Sequence, residues 1–290
     1  MSLRKTITRI VQQEDLNFLL TNRIPRMALT RFMGWFSRIE HPAVRGTSIA
    51  LWRFFCDVDL TYGAETRYRS LHAAFIRRLR PGARTVDPDP GTITAPCDAI
   101  VGAFGTIRDG EVYQIKGFPY AIADLLGDAA AAAEFREGCY VTLRLTAGMY
   151  HRFHAPHDIA VESVHYISGD VWNVNPIALK RIERLFCKNE RAPITVRLAR
   201  SGRRIVMVPV AAILVASIRL PFIDPHRNIR ARPGLTFPRN VTFAKGEEMG
   251  WFEHGSTIVL IAPPGFVPAS TLSEGRKIAM GAPLLKEAVS

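Results

Sequence analysis

Two hydrophobic periods divide the chain. Near the N-terminus apolar side chains recur at helical spacing: Leu16, Leu19 and Leu20 begin one stripe, and Leu29, Phe32, Met33 and Phe36 continue at i, i+3, i+4 and i+7. Pro25 and Pro42 cut this region into short helices. One more helix is expected over residues 68–79, stopped by Arg80-Pro81-Gly82. After the turn cluster Asp87-Pro-Asp-Pro-Gly91 the pattern becomes that of strands. Residues 100–107, 112–115 and 140–145 have β character, the last alternating Val141, Leu143 and Leu145; residues 194–198, 205–210 and 213–218 continue it. The alanine-rich stretch 122–135 is the one clear helix here. Gly246 and Gly250 read as turn residues, and from Thr257 to Ile261 an unbroken, largely β-branched run reads as a buried strand. The expectation is an α+β fold, with amphipathic N-terminal helices over residues 1–62 and a mostly β domain over residues 63–290.

Bulk properties narrow the partners. A chain of 290 residues is enough for one large domain or two modest ones with a substantial core. Its four cysteines form no Cys-x-x-Cys pair, which argues against a zinc ribbon or disulfide framework and favours a reducing compartment. No run reaches the roughly 18 to 20 apolar residues of a spanning helix, and the N-terminus lacks the apolar core of a secretory signal. The net charge of +12 suits an anionic partner. Common nucleic-acid signatures are missing, so a membrane surface is favoured over nucleic acid. Between Leu16 and Arg53 stand six arginines (23, 26, 31, 38, 45, 53) against the single acid Glu40, beside Trp35, Phe36, Trp52, Phe54 and Phe55. Short basic helices with aromatic faces lie in the membrane interface without crossing it. The competing use of the same faces is packing on the rest of the protein, and the two uses are compatible on different faces. The expected location is therefore peripheral or monotopic, on the cytoplasmic face of a membrane.

Candidate chemistry gathers before the buried strand, at His254-Gly255-Ser256-Thr257. Ser256 is a small nucleophile at the mouth of a strand, behind a residue with no Cβ; alone, a Gly-Ser pair is most often a turn. Three further stretches join it: Ala95-Pro-Cys-Asp98-Ala99, Tyr150-His151-Arg152-Phe153-His154-Ala155-Pro156, and Val174-Asn175-Pro176 followed by Asn189-Glu190-Arg191. In this order and spacing the set resembles the membrane-associated phosphatidylserine decarboxylases, whose motifs are Pro-x-Asp-Gly, Tyr-His-Arg-x-His-x-Pro and Gly-Ser-Thr. Weaker matches lie near Asp57-Val-Asp59 and Gln114-Ile-Lys116-Gly117.

The resemblance implies a self-processing lyase. Ser256 Oγ would attack the carbonyl of Gly255, with His154 as base and Asp98 fixing its tautomer. Elimination would then free the upstream carboxyl and leave a dehydroalanine, which hydrolyses to a covalent pyruvoyl group and ammonia where Ser256 had been. Cleavage would separate a β chain of residues 1–255 from an α chain of residues 256–290, which stay associated. The pyruvoyl ketone would form a Schiff base with the amine of phosphatidylserine and withdraw electrons as CO2 leaves, giving phosphatidylethanolamine. His151 is assigned to this second reaction, and a turn before Pro156 would bring both histidines towards Ser256. No metal is expected: the spacing of His151, His154 and His157 does not keep three ligands together on a helix, and Pro156 interrupts it. Two positions depart from the family pattern, Ala99 in place of glycine and His254 in place of leucine or phenylalanine. The alternative reading is an unprocessed, noncatalytic protein that binds acidic membranes. A homodimer is left open.

Overall fold

The computed structural model describes residues 13–23, 25–114, 118–213, 218–223, 236–253 and 256–288. Three helices open it: α1 (Glu14–Asn22), α2 (Arg26–Phe36) and α3 (Pro42–Phe55). The short α4 (Leu71–Phe75), α5 (Ile122–Leu126), α6 (Ala129–Ala133), α7 (Pro176–Leu179) and α8 (Leu185–Lys188) follow. The strands before the second half are β1 (Thr92–Thr94), β2 (Ala99–Thr106), β3 (Glu111–Tyr113), β4 (Pro119–Ala121), β5 (Cys139–Leu145), β6 (Arg152–His154) and β7 (Ile159–His165). Those after it are β8 (Ile194–Leu198), β9 (Arg204–Ala211), β10 (Ile218–Arg219), β11 (Thr236–Phe243), β12 (Glu248–Phe252), β13 (Ser256–Ala262), β14 (Phe266–Pro268), β15 (Lys277–Ile278) and β16 (Pro283–Glu287).

The expected buried strand is central. An eight-stranded antiparallel sheet runs β11-β7-β8-β9-β13-β5-β2-β15, with β13 held between β9 and β5. Alternate β13 side chains enter two cores: Ile258 and Leu260 join one cluster, Val259 and Ile261 the other. Burial on both faces explains why this stretch is apolar without alternation. The short helices α5 to α8 cover the Val259 side through Leu125, Leu179 and Phe186. A small sheet, β10-β12-β6, supplies Ile218, Met249 and Phe153 to the opposite core.

Several elements differ from expectation. The helix expected over 68–79 shrinks to α4, opened by Ser70, whose Oγ accepts from Ala73 N. Beyond it the backbone at Arg78 and Arg80 bonds instead to Ala64 and Tyr62, which fixes it extended. The helix expected over 122–135 is two. Gly127 ends α5 in the left-handed region (φ +67) and Asp128 caps α6 through Ala130 N and Ala131 N. Gly250 is a strand residue rather than a turn: a Cβ there would meet the Arg219 carbonyl at 2.3 Å and the Phe153 ring at 2.7 Å. Residues 152–154 form β6, paired with β12, where a turn was expected. Of the stretch 213–218, residues 214–217 lie outside the described residues. All four cysteines are free thiols.

The N-terminal helices are tied to the β body by specific contacts. Arg26 pairs with Asp170 at 2.6 Å and lies over the Trp172 ring at 3.6 Å. Asn175 Nδ2 donates to Asn17 Oδ1, and Trp52 Nε1 donates to the Ala147 carbonyl. Met27, Phe32, Trp35, Leu51, Phe54 and Phe55 nevertheless remain exposed on these helices. Among the described residues, no helix is long and apolar enough to cross a membrane.

Candidate active site

Ser256 is the first residue of β13, opposite Leu145 of β5 and Ala211 of β9. It is fully buried, and its Oγ has no hydrogen-bond partner among the described residues. A buried hydroxyl left unbonded is costly in a finished core. Here it also lines a cavity of about 400 Å³. The cavity opens where β5 and β9 end and β13 begins, between Thr146, Asn173 and Ala212, under Met33, Trp52 and Phe75 from the helices. Gly255 and His254 lie outside the described residues, as does Lys116. Between Glu253 and Ser256 the chain crosses from the small sheet to the large one.

The preceding strand end is held by charge. Glu253 takes contacts from Arg38 at 3.0 Å, Arg219 at 3.1 Å and His72 at 3.5 Å. Burial works against its ionisation, but the His72 hydrogen bond and the charges of Arg219 and Arg38 prevail, and its pKa falls to about 2.

Asp98 and His154 lie on neighbouring segments, joined through the His154 N–H to the Pro96 carbonyl at 2.8 Å. His154 is buried, and its Nδ1 donates to the Gly246 carbonyl at 3.0 Å. That assigns the basic lone pair to Nε2, which accepts from the Tyr150 hydroxyl at 2.9 Å. Burial lowers the pKa of His154 and outweighs the Gly246 hydrogen bond and the nearby carboxylates of Glu248 and Asp98, so the imidazole is neutral. Asp98 is gripped by Arg84, Nε to Oδ1 at 2.9 Å and Nη2 to Oδ2 at 2.5 Å, and also accepts from Met280 N. Among the described residues no hydrogen bond joins Asp98 to His154. Tyr150, the partner of His154, lines a second cavity of about 330 Å³ with Asp98 and Arg84. Ala99 is accommodated as a fully buried strand residue with no positive φ.

His151 has other neighbours. Its ring lies 4.0 Å from that of Phe75, a wall of the Ser256 cavity, and its Nδ1 donates to the Met149 carbonyl at 2.8 Å. The basic nitrogen is thus Nε2. His157 is occupied by the Asp158 and Pro90 carbonyls. The remaining motifs make local bonds around the site, and Asn175 also lines the Ser256 cavity. Asn175 caps α7 through Ala178 N; Asn189 binds Trp172 and Ala211; Arg191 donates to the carbonyls of Leu125, Asp124, Cys187 and Asn189. Glu190 O accepts from Ala211 N, so this strap fixes the β9 residue beside Ser256.

Sequence reasoning missed Arg84 and Arg144. Arg144 carried a readable signal, a lone charge in a strand of otherwise apolar or small side chains. Arg84 sits in a turn region and carried none.

Comparison with known proteins follows the same direction. The sequence profile described as phosphatidylserine decarboxylase matches residues 71–286. The chain is 33% identical over 262 residues to a phosphatidylserine decarboxylase proenzyme of Marinobacter nauticus, covering 87% of this chain and 91% of the relative. It is 34% identical over 269 residues to the proenzyme of an Anaeromyxobacter species, covering 90% and 94%. To that of Chromobacterium violaceum it is 34% identical over 258 residues, covering 86% and 90%.

Proposed function

The chain belongs to the phosphatidylserine decarboxylase family, and we propose that it decarboxylates phosphatidylserine through a pyruvoyl group made from its own Ser256. Membership makes it a decarboxylase, a carboxy-lyase of phospholipid metabolism whose relatives are named as proenzymes. The observation that supports the finer reading is the buried Ser256 hydroxyl, without a bonding partner among the described residues, at the edge of a cavity. A pyruvoyl group would occupy that position covalently, and the cavity leaves room for an amine to approach it. When formed, the group supplies an electron sink for the bond to the departing carboxylate.

The chain's own side chains divide the work. In self-cleavage Ser256 Oγ attacks the carbonyl before it, and neutral His154 receives the hydroxyl proton at Nε2. That requires the Tyr150 hydroxyl to release Nε2 first. Asp98, clamped by Arg84, holds negative charge near the imidazole and favours its protonated form once the proton arrives. His151, whose ring packs on Phe75 of the cavity wall, is suited to returning a proton to the substrate carbon after CO2 leaves. The exposed aromatic side chains of α2 and α3 would seat the cavity's mouth at an anionic membrane surface, with residues 1–62 as the membrane-facing part.

Intact mass tests the central claim. Wild-type protein should yield residues 1–255 and 256–290 with the smaller chain blocked at its N-terminus, and Ser256→Ala should remain whole. If Ser256→Ala breaks at the same bond, self-cleavage is wrong; a wild-type chain that never splits would favour the noncatalytic membrane binder.

A further inference from the structure

The Ser256 cavity contains a single charged side chain among its described lining, Arg144. This residue sits on β5 between Ile100 of β2 and Thr257 of β13, one position before the strand partner of Ser256. Its guanidinium is half-buried, and among the described residues it makes neither ion pair nor hydrogen bond. Burial lowers its pKa with no acid opposing. Other buried arginines have partners: Arg152 pairs with Glu248, Arg77 donates through its Nη atoms to the carbonyls of Ala74 and Asp59, and Arg191 binds four carbonyls. A guanidinium partly removed from water and left unmatched is costly, and its planar fork of donors fits a phosphate or a carboxylate.

Given the proposed function, the substrate carries one of each. The carboxylate is the group that must lose its charge as CO2 leaves, so a salt bridge to it would stabilise the ground state more than the transition state. The phosphate keeps its charge throughout the reaction. We propose that Arg144 binds the phosphodiester phosphate of the phospholipid substrate and thereby places the serine amine at position 256. The inference rests on the decarboxylase reading above and adds to it the residue that selects a phosphoserine headgroup over other serine esters.

The test compares two soluble substrates, short-chain phosphatidylserine and a short-chain serine ester that lacks the phosphate. CO2 release is measured for the wild type, Arg144→Gln and Arg144→Lys, each first shown by gel to have cleaved. In the wild type kcat/KM should favour the phosphodiester. In Arg144→Gln that preference should fall about tenfold to a hundredfold, as expected for a lost charge-assisted pair. Arg144→Lys keeps the charge without the fork; its preference should fall less, and it carries the test should the glutamine variant not fold. Equal preference in wild type and variants overturns the proposal, as does a proportional loss on both substrates, which would put the arginine on the shared serine moiety. Failure of wild-type protein to release CO2 from either substrate would instead overturn the functional reading, and the proposal with it.

Discussion

A histidine that must take a proton at neutral pH is helped by being hard to protonate beforehand. His154 meets that condition because burial lowers its pKa below the ordinary 6.5. In the unfolded chain it would gain its proton near that ordinary value, so its native environment costs stability only as pH falls below 6.5. Self-cleavage should therefore be flat with pH around neutrality and decline only on the acid side of the usual histidine value. A rate that already halves at or above pH 6.5 in a stopped time course would contradict the assignment. Substitution separates the two imidazoles. His154→Ala should accumulate precursor, with cleavage slowed about a hundredfold or more. His151→Ala should still cleave substantially and yet release CO2 poorly from phosphatidylserine. The reverse pattern would exchange their roles, and normal behaviour in both would remove them from the mechanism.

At the scale of elements, the strand end before Ser256 and the N-terminal helices share one anchor, Glu253. Its contacts come from Arg38 beyond α2, His72 on α4 and Arg219 on β10. Glu253→Gln should loosen α2, cost about 2 kcal/mol as a hydrogen-bonded charge is lost, and speed proteolysis near residues 37–41. The wild-type contact has a definite acid limit. Its pKa is held near 2 against an ordinary 4.5, so the stabilisation is complete above 4.5 and vanishes as pH falls through about 2. Pepsin digestion across that window should find the wild type losing resistance near residues 37–41 toward the lower end, and the glutamine variant changing less with pH, since Asp59 and Asp170 still titrate in it. None of these three partners was legible in the sequence, because they join positions up to 215 residues apart. What was legible is whatever the chain signals locally. Thr257 to Ile261 showed the central strand because two-sided burial leaves it apolar from Ile258 onward. The Gly127-Asp128 break was also written locally, but the alanines around it have helix propensity enough to hide it. Asp98, His151, His154 and Ser256 could be chosen from motifs, and Tyr150 stands in one of them, but its bond to His154 and the Arg84 clamp on Asp98 appear only in the fold.

The molecule as a whole is arranged so that cutting the chain need not divide it. The proposed α chain begins with β13, whose backbone pairs with β5 on one side and β9 on the other, and its later strands β15 and β16 pair with β2 and β1. Every one of those partners belongs to the proposed β chain, so the sheet keeps the two products together. The helices stand apart from this requirement. Arg26 and Arg38 are already paired with Asp170 and Glu253, which leaves Arg23, Arg31, Arg45 and Arg53 without ion pairs among the described residues, on the same helical region as exposed Phe32, Trp35 and Phe55. Charges and rings in that arrangement suit an anionic bilayer, the charges acting at a distance and the rings on contact. Replacing Phe32, Trp35 and Phe55 together by serine removes exposed side chains only, so self-cleavage should proceed while flotation with phosphatidylserine-containing vesicles falls tenfold or more, roughly the worth of a few buried rings. Raising salt from 0.1 M to 1 M shortens the screening length from about 10 Å to about 3 Å. It should therefore release the triple variant almost completely but the wild type only in part, because the rings do not feel ionic strength. Equal flotation by both proteins at low and high salt would move the membrane contact off the helices and onto the β body.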